Sequence, residues 1–428
     1  VNTAYTTRRI LALSLRWQQR LTFLAGGLVV GLLAVCLALG SDAAQQWFSR
    51  GLAISRDIPL VLTPAGFALT VFMARRFFPN TQGSGIPQAI AARAMEEPQA
   101  RDKLVGLRIA TGKVLMTLLG LLVGASTGRE GPTVQVGASA MAFIGKLSPR
   151  HQSGLILAGS AAGVAAAFNT PLAGIVFAIE EMSRSFEVKT SGLIISAVII
   201  AGLTAQMLLG DYTYFGTTAA ALPIGTAWIA VPLCGVTGGF AGALFSRILV
   251  SVPGQMPFSL GRWIGSHPVA FAALCGLGVA LCGQISGDAT YGTGYQNAKA
   301  VLHHTGTLSL DYAPLKLLAT ALSAVSGVPG GIFSPSLSVG AGIGSDIAHF
   351  FHHAEPGPIV LLGMVSYFTG VVRAPITGFV IVAEMTGNHA MLAALMTTAL
   401  IANSCAGLVN KEGVYHALAK RFLPKDGT

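Results

Sequence analysis

An arginine and a glutamate, Arg129 and Glu130, stand side by side in the stretch GREGP at 128–132, with apolar sequence on both sides. In water such a pair is an ordinary surface turn. Inside a membrane, where a charged side chain costs about 2.5–3.5 kcal/mol on insertion scales, it is a functional hypothesis by default. Two further stretches, GSGIPQ at 83–88 and GGIFSP at 330–335, also combine Gly and Pro where a helix would start. A helix N-terminus presents unpaired N–H groups and about half a positive charge. It can therefore hold an anion without a lysine, and weakly enough for the anion to leave again. One such loop reads as a helix break. Three, two of them related by a repeat, read as an anion site. Glu130 then behaves as a tethered anion. Ionised, it competes with a mobile anion for the N–H groups that follow GREGP; protonated, it moves away. That would couple anion binding to proton binding. The competing reading is a plain Arg129–Glu130 surface pair.

The elements that position these residues follow from composition. Of 428 residues, 52% are hydrophobic and only 10% are charged, against about 25% charged in soluble domains. Mean hydropathy is +0.65. No Asp, Glu, Lys or Arg occurs from 212 to 246. These values predict an all-α polytopic membrane protein. The ten-residue alternation of a membrane β-barrel is absent. Five apolar runs are long enough, or nearly so, to span: Leu21–Leu39, Gly192–Leu209, Ala227–Phe245, Val269–Ile285 and Met391–Val409. The others are short and broken by Gly or Pro.

Arg8, Arg9, Arg16 and Arg20 precede the first run, and Lys420, Arg421 and Lys425 lie at the other end. By the positive-inside rule both termini are cytoplasmic and the number of crossings is even. The net charge of +10 is assigned to topology and lipid headgroups, not to nucleic acid. Residues 1–20 read as an amphipathic basic helix, and no cleavage site marks a signal peptide. Cys36, Cys234, Cys275, Cys282 and Cys405 lie in apolar runs without a CxxC pair and read as packing residues.

The broken segments are duplicated. GKVLMTLLGLLVGASTGREGPTVQVG aligns with LKLLATALSAVSGVPGGIFSPSLSVG. Lys113, Gly124, Gly128, Pro132 and Gly137 match Lys316, Gly327, Gly331, Pro335 and Gly340. Further on, Pro171, Gly174 and Glu180 match Pro375, Gly378 and Glu384. A near-constant shift over about 70 residues is an internal repeat, and interrupted helices at equivalent positions of two halves point to a transport site between them. Residues 21–210 form the first half and 211–428 the second, divided near 211–221. An even number of crossings permits inverted halves.

Other candidates have plainer readings. Glu180 and Glu181 end an apolar helix in AIEEMSRSFE, where one of them reads as a solvated helix end; Glu384 reads as structural. Lys113 and Lys316 read as snorkelling or as neutralising a carboxylate. His151, His267, His303, His304, His349, His352 and His353 show no metal-ligand spacing and are assigned to loops. No metal site and no nucleophile–base set is found, which argues against a membrane enzyme.

Taken together, GSGIP, GREGP, GGIFSP, FNTPLAGIVFAIEEM and RAPITGFVIVAEMTGN occur in the order that they have in the CLC family of chloride channels and chloride/proton exchangers, and the chain resembles that family from about Leu21 to Leu423. The resemblance implies an inverted repeat of tilted, partly broken helices, and a homodimer in a bacterial inner membrane with a separate pore in each subunit. It implies chloride and protons as transported ions, without a cofactor. It places Ser84, Tyr415, the backbone N–H groups of Ile332 and Phe333, and the neighbouring Arg129 and Gly131 around chloride. It makes Glu130 the gating glutamate and Glu181 the internal proton-transfer glutamate. Passive channels of the family typically lack an acid at the Glu181 position, so the resemblance implies an antiporter; a passive anion channel is the alternative. Gln88 and Ser334 depart from the residues frequent in relatives, Glu and Ala, and neither change removes an expected ligand. Tyr415 rests on a short context, VYHALAK.

Overall fold

The protein is described from a computed structural model, which covers residues 2–147, 152–183, 191–210, 213–219, 221–223, 225–252, 258–351 and 355–423. His151, His352, His353, Lys425 and the first two residues of the expected boundary, Asp211 and Tyr212, lie outside the described residues.

The first half is built from α1 (Asn2–Ile54), α2 (Ile58–Phe77), α3 (Ile86–Ala94), α4 (Pro98–Val105), α5 (Leu107–Leu122), α6 (Glu130–Ile144), α7 (Gln152–Phe168), α8 (Pro171–Phe177) and α9 (Ser191–Leu209). A π-helical segment, Ala178–Ser183, continues α8. The second half has α10 (Ala230–Ser251), α11 (Phe258–Ser266), α12 (Pro268–Ile285), α13 (Tyr295–Leu302), α14 (Tyr312–Val325), α15 (Phe333–Ala348), α16 (Pro356–Val372), α17 (Pro375–Thr386) and α18 (Leu392–Val409). The short α19 (Val414–Ala419) follows.

Among the described residues, seven helical stretches are long and apolar enough to cross a membrane. Five correspond to the expected runs. The other two, Ile58–Phe77 and Pro98–Leu122, were not among the expected runs, because Pro59, Pro64 and Gly66 break the one, Gly106 breaks the other, and basic residues shorten both. Arg75 and Arg76 sit in the last turn of the one, and Lys103, Arg108 and Lys113 punctuate the other. The helix expected over residues 1–20 continues into the first apolar run. α1 runs unbroken from Asn2 to Ile54, because no Gly or Pro interrupts the passage from the basic stretch into the apolar one.

The halves fold alike. α6 packs on α7 as α15 packs on α16, and α1 on α9 as α10 on α18. α7 and α16 form the centre: every residue from Gly154 to Phe168 and from Gly357 to Val372 is buried. A helix apolar on all sides belongs inside a large core. Both end alike, at Asn169 (φ 55°) and Arg373 (φ 62°), each followed two residues later by the proline that starts α8 or α17. Close crossings depend on small residues. A Cβ on Gly137 or Gly159 would strike the other's carbonyl oxygen, and Gly340 and Gly363 repeat the arrangement in the second half. Membrane helices, which gain little from apolar burial against lipid, use such contacts to bring backbones together.

Counterparts also touch each other across the halves. α2 lies on α12, and α8 on α17. Glu180 accepts hydrogen bonds from the Ile376 and Thr377 N–H groups at 3.1 and 2.6 Å, capping α17. Glu384 accepts from Leu172 and Ala173 at 3.1 and 2.8 Å, capping α8. Each half therefore supplies the acid that satisfies the other's first helical turn. Glu180 is accordingly a cap and not a solvated helix end, and the structural reading of Glu384 takes this form.

Candidate functional site

The three Gly/Pro loops meet. Gly128 and Gly331 exchange two backbone hydrogen bonds, each 2.7 Å. Gly330 N–H donates to the Gly83 carbonyl at 3.1 Å, so GSGIPQ joins the same cluster. The loops start α3, α6 and α15, with Pro87, Pro132 and Pro335 in their first turns, where a missing N–H breaks no helical bond. The free N–H groups of three helices therefore point toward one region. Contact is close: a Cβ at Gly131 would fall on the Ser84 hydroxyl and lie 3.3 Å from Gly331 Cα.

Of the sequence-predicted residues, Ser84, Arg129, Glu130, Gly131, Ile332, Phe333 and Tyr415 converge here, and all are buried. Tyr415, on α19, is fully buried and faces Ser84, with Glu130 and Glu181 within electrostatic reach. The Ser84 and Tyr415 hydroxyl oxygens are buried with no geometrically sound hydrogen bond to the protein. Two orphaned hydroxyls beside helix N-termini are donors suited to an anion. Glu181 is 3% exposed and sits in the π-helical continuation of α8, a distortion often found at functional sites.

Arg129 does not form the surface pair with Glu130. Its guanidinium donates to Asp42 Oδ1 at 2.7 Å and to the Ala38 carbonyl at 2.8 Å, both on α1. Glu130 is 1% exposed. Its Oε1 accepts the Ser334 hydroxyl at 2.6 Å and lies 3.4 Å from the Tyr214 hydroxyl. A cavity of about 960 Å³, lined by Asp42, Gln45, Arg129, Tyr214 and Tyr295 among others, ends against this carboxylate's neighbours.

Lys113 and Lys316 neither snorkel nor pair with a carboxylate. Both are fully buried. Lys113 Nζ donates to the carbonyls of Thr81 and Gly83 at 2.8 and 2.5 Å, just before α3. Lys316 Nζ donates to Thr290 and Gly292 carbonyls at 2.9 and 2.8 Å and to Ser126 Oγ at 2.9 Å, just before α13. Each ammonium thus holds the loop that aims a helix. GTGYQ at 292–296 is therefore the second-half partner of GSGIP. The shared Gly-Ser/Thr-Gly pattern was the available signal, obscured because this pair is offset by 209 positions and the other loops by 203.

Sequence reasoning missed Tyr214. It lies in the segment taken as a boundary, which is bound to the end of α17 through Phe215 N–H to Met385 O at 3.0 Å and Thr218 N–H to Thr386 O at 3.1 Å. Ring contacts with Phe168, Phe215 and Tyr295 at 5.2, 5.1 and 4.8 Å fix its orientation. Nothing in the residue order marks such a placement.

Residues 65–407 match the family model described as voltage gated chloride channel. This chain belongs to that family. The CLC fold accounts for the repeat, the broken helices and the loop cluster together. The chain is 32% identical to the H(+)/Cl(-) exchange transporter ClcA of Yersinia pestis bv. Antiqua (strain Angola), over 93% of this chain and 86% of that one. It is 30% identical to the ClcA of Citrobacter koseri, over 95% and 89%. Among solved structures, a slow cyanobacterial Cl−/H+ antiporter superposes with a TM-score of 0.80 at 26% identity, covering 96% of this chain and 99% of that one. As a CLC chain with these apolar stretches, it is a multi-pass membrane protein.

Proposed function

We propose that the chain is a secondary active chloride/proton antiporter. The single observation that carries this reading is the convergence of three helix N-termini and two orphaned hydroxyls, Ser84 and Tyr415, beside a buried carboxylate, Glu130. The exchanger relatives support exchange over passive conduction.

In this reading chloride is held by the hydroxyls of Ser84 and Tyr415 and by N–H groups of Ile332 and Phe333, with Arg129 and Gly131 at the outer end. Partial charges desolvate the anion without binding it too tightly for flux. Glu130 occupies the path as a carboxylate and leaves it when protonated. Glu181 exchanges protons with the cytoplasm, and its nearness to Tyr415 supports a proton route that meets the chloride route and then diverges from it. The two repeats, 21–210 and 211–428, flank the path. The protein works as a homodimer with one pore per subunit, in the inner membrane, with both termini cytoplasmic and no cofactor.

The test is purified protein in liposomes under a chloride gradient with no proton gradient. Chloride efflux is expected to drive protons uphill. A reversal potential that ignores the pH gradient would identify a passive channel instead.

A further inference from the structure

Glu130 is held by two neutral hydroxyls that its own helix does not supply. The Ser334 hydroxyl donates to Oε1 at 2.6 Å, and Tyr214 lies 3.4 Å from the same oxygen. The two hydroxyls are 3.3 Å apart, and all three side chains are at most 3% exposed. The nearest cation is engaged elsewhere, since Arg129 is bonded to Asp42 and Ala38. A full ion pair in this low-dielectric setting would fix the carboxylate firmly. Hydroxyl donors orient it and still let it go.

The origins of the two donors matter. Glu130 lies in the first turn of α6 and Ser334 in the first turn of α15, so the contact bridges the repeats. Tyr214 comes from the segment joining the halves, locked by its backbone bonds to α17 and by its aromatic neighbours. The carboxylate is thus clasped from the opposite half and from the connector.

We propose that Ser334 and Tyr214 are positioning residues that set how strongly the Glu130 carboxylate competes with chloride. This rests on the gate reading above. Each hydroxyl favours the docked, ionised carboxylate over the withdrawn one. Removing either weakens the competitor, so chloride gains access to the space beside the α6 and α15 N-termini that the carboxylate fills.

The experiment is a double-mutant cycle on the full-length protein. Chloride binding is measured by calorimetry for Ser334→Ala and Tyr214→Phe, each in the native background and in Glu130→Ala. In the native background Ser334→Ala is expected to tighten apparent chloride binding roughly tenfold or more, the span of a hydrogen bond to a charged group, and Tyr214→Phe, which removes the longer 3.4 Å contact, by less. In the Glu130→Ala background neither should matter, and Ser334→Thr, which keeps the hydroxyl, should restore native affinity. Equal effects in both backgrounds, or none in the native one, overturn the inference. Gel filtration before each measurement identifies a misfolded variant, and either hydroxyl alone suffices for the cycle. If Glu130→Ala still exchanges chloride for protons with full coupling, the gate reading itself falls and the inference with it. If that variant uncouples and the hydroxyl effects persist in it, the inference alone falls.

Discussion

Gly128 and Gly331 donate to each other's carbonyls at 2.7 Å, and each is the other's counterpart in the repeat. A residue bonded reciprocally to its own image lies beside the axis that relates the halves. Everything aimed at this pair is therefore aimed at the seam between the halves. The helix starts at α6 and α15 are two such elements, which makes this the place where one ion can be approached from both halves.

Glu130→Ala removes the tethered anion without changing the surrounding backbone. Chloride movement should continue, while proton uptake driven by a chloride gradient should fall to background. Simultaneous chloride and pH electrodes on loaded liposomes read both fluxes. Persistent coupling would sink the gate assignment.

Glu181→Gln keeps the shape and loses the transferable proton. Chloride transport should remain measurable with proton movement abolished. Unchanged proton uptake would make Glu181 a structural member of the π-helical segment.

Tyr415→Phe deletes one of the two orphaned hydroxyls and leaves the ring in place. A hydrogen bond to a charged group contributes about 1.5–3 kcal/mol, so chloride affinity should fall by roughly tenfold or more. Calorimetric titration with chloride measures this, and an unaltered affinity would remove Tyr415 from the ligand set.

Lys316→Met should damage folding more than transport chemistry. It strands the Thr290 and Gly292 carbonyls that the ammonium satisfies, at about 1–3 kcal/mol for each buried acceptor left unpaired, while Ser126 keeps its Thr320 partner. The expected result is a lower Tm in detergent and a poor yield of monodisperse protein. Native stability would show that the loop before α13 holds without its cation.

Exchanging the caps tests the link between halves. Glu384→Ala uncovers the first turn of α8, and loss of an N-terminal cap costs about 0.5–2 kcal/mol. A measurably lower Tm is expected, and Glu180→Ala should behave alike at α17. A difference between them would mean that the two halves do not bear on each other equally.

The three Gly/Pro loops were legible because Gly and Pro report backbone geometry directly: GSGIP, GREGP and GGIFSP are helix starts in sequence as in space. The repeat was legible because Lys113 and Lys316, or Glu180 and Glu384, keep their spacing. What these residues touch was not. Both lysines resembled membrane charges seeking water, since a sequence does not display the carbonyls that fold around them. Tyr214 was hidden because its partner is 84 positions away and its segment has no periodic pattern. Ser334 was noticed only as a departure from Ala; its meaning depends on Glu130 standing 204 positions away.

The crossed caps of Glu180 and Glu384 have the form of an isologous contact, in which one patch meets its own copy. Two identical chains joined this way must carry every substitution in duplicate. A single chain is free of that symmetry. The position of Glu130 in the first half is held by Phe333 in the second. With acids at both, two carboxylates would face one set of N–H groups and repel each other. Fusion of the halves into one polypeptide is what allows a lone carboxylate at the shared centre, opposite an apolar ring.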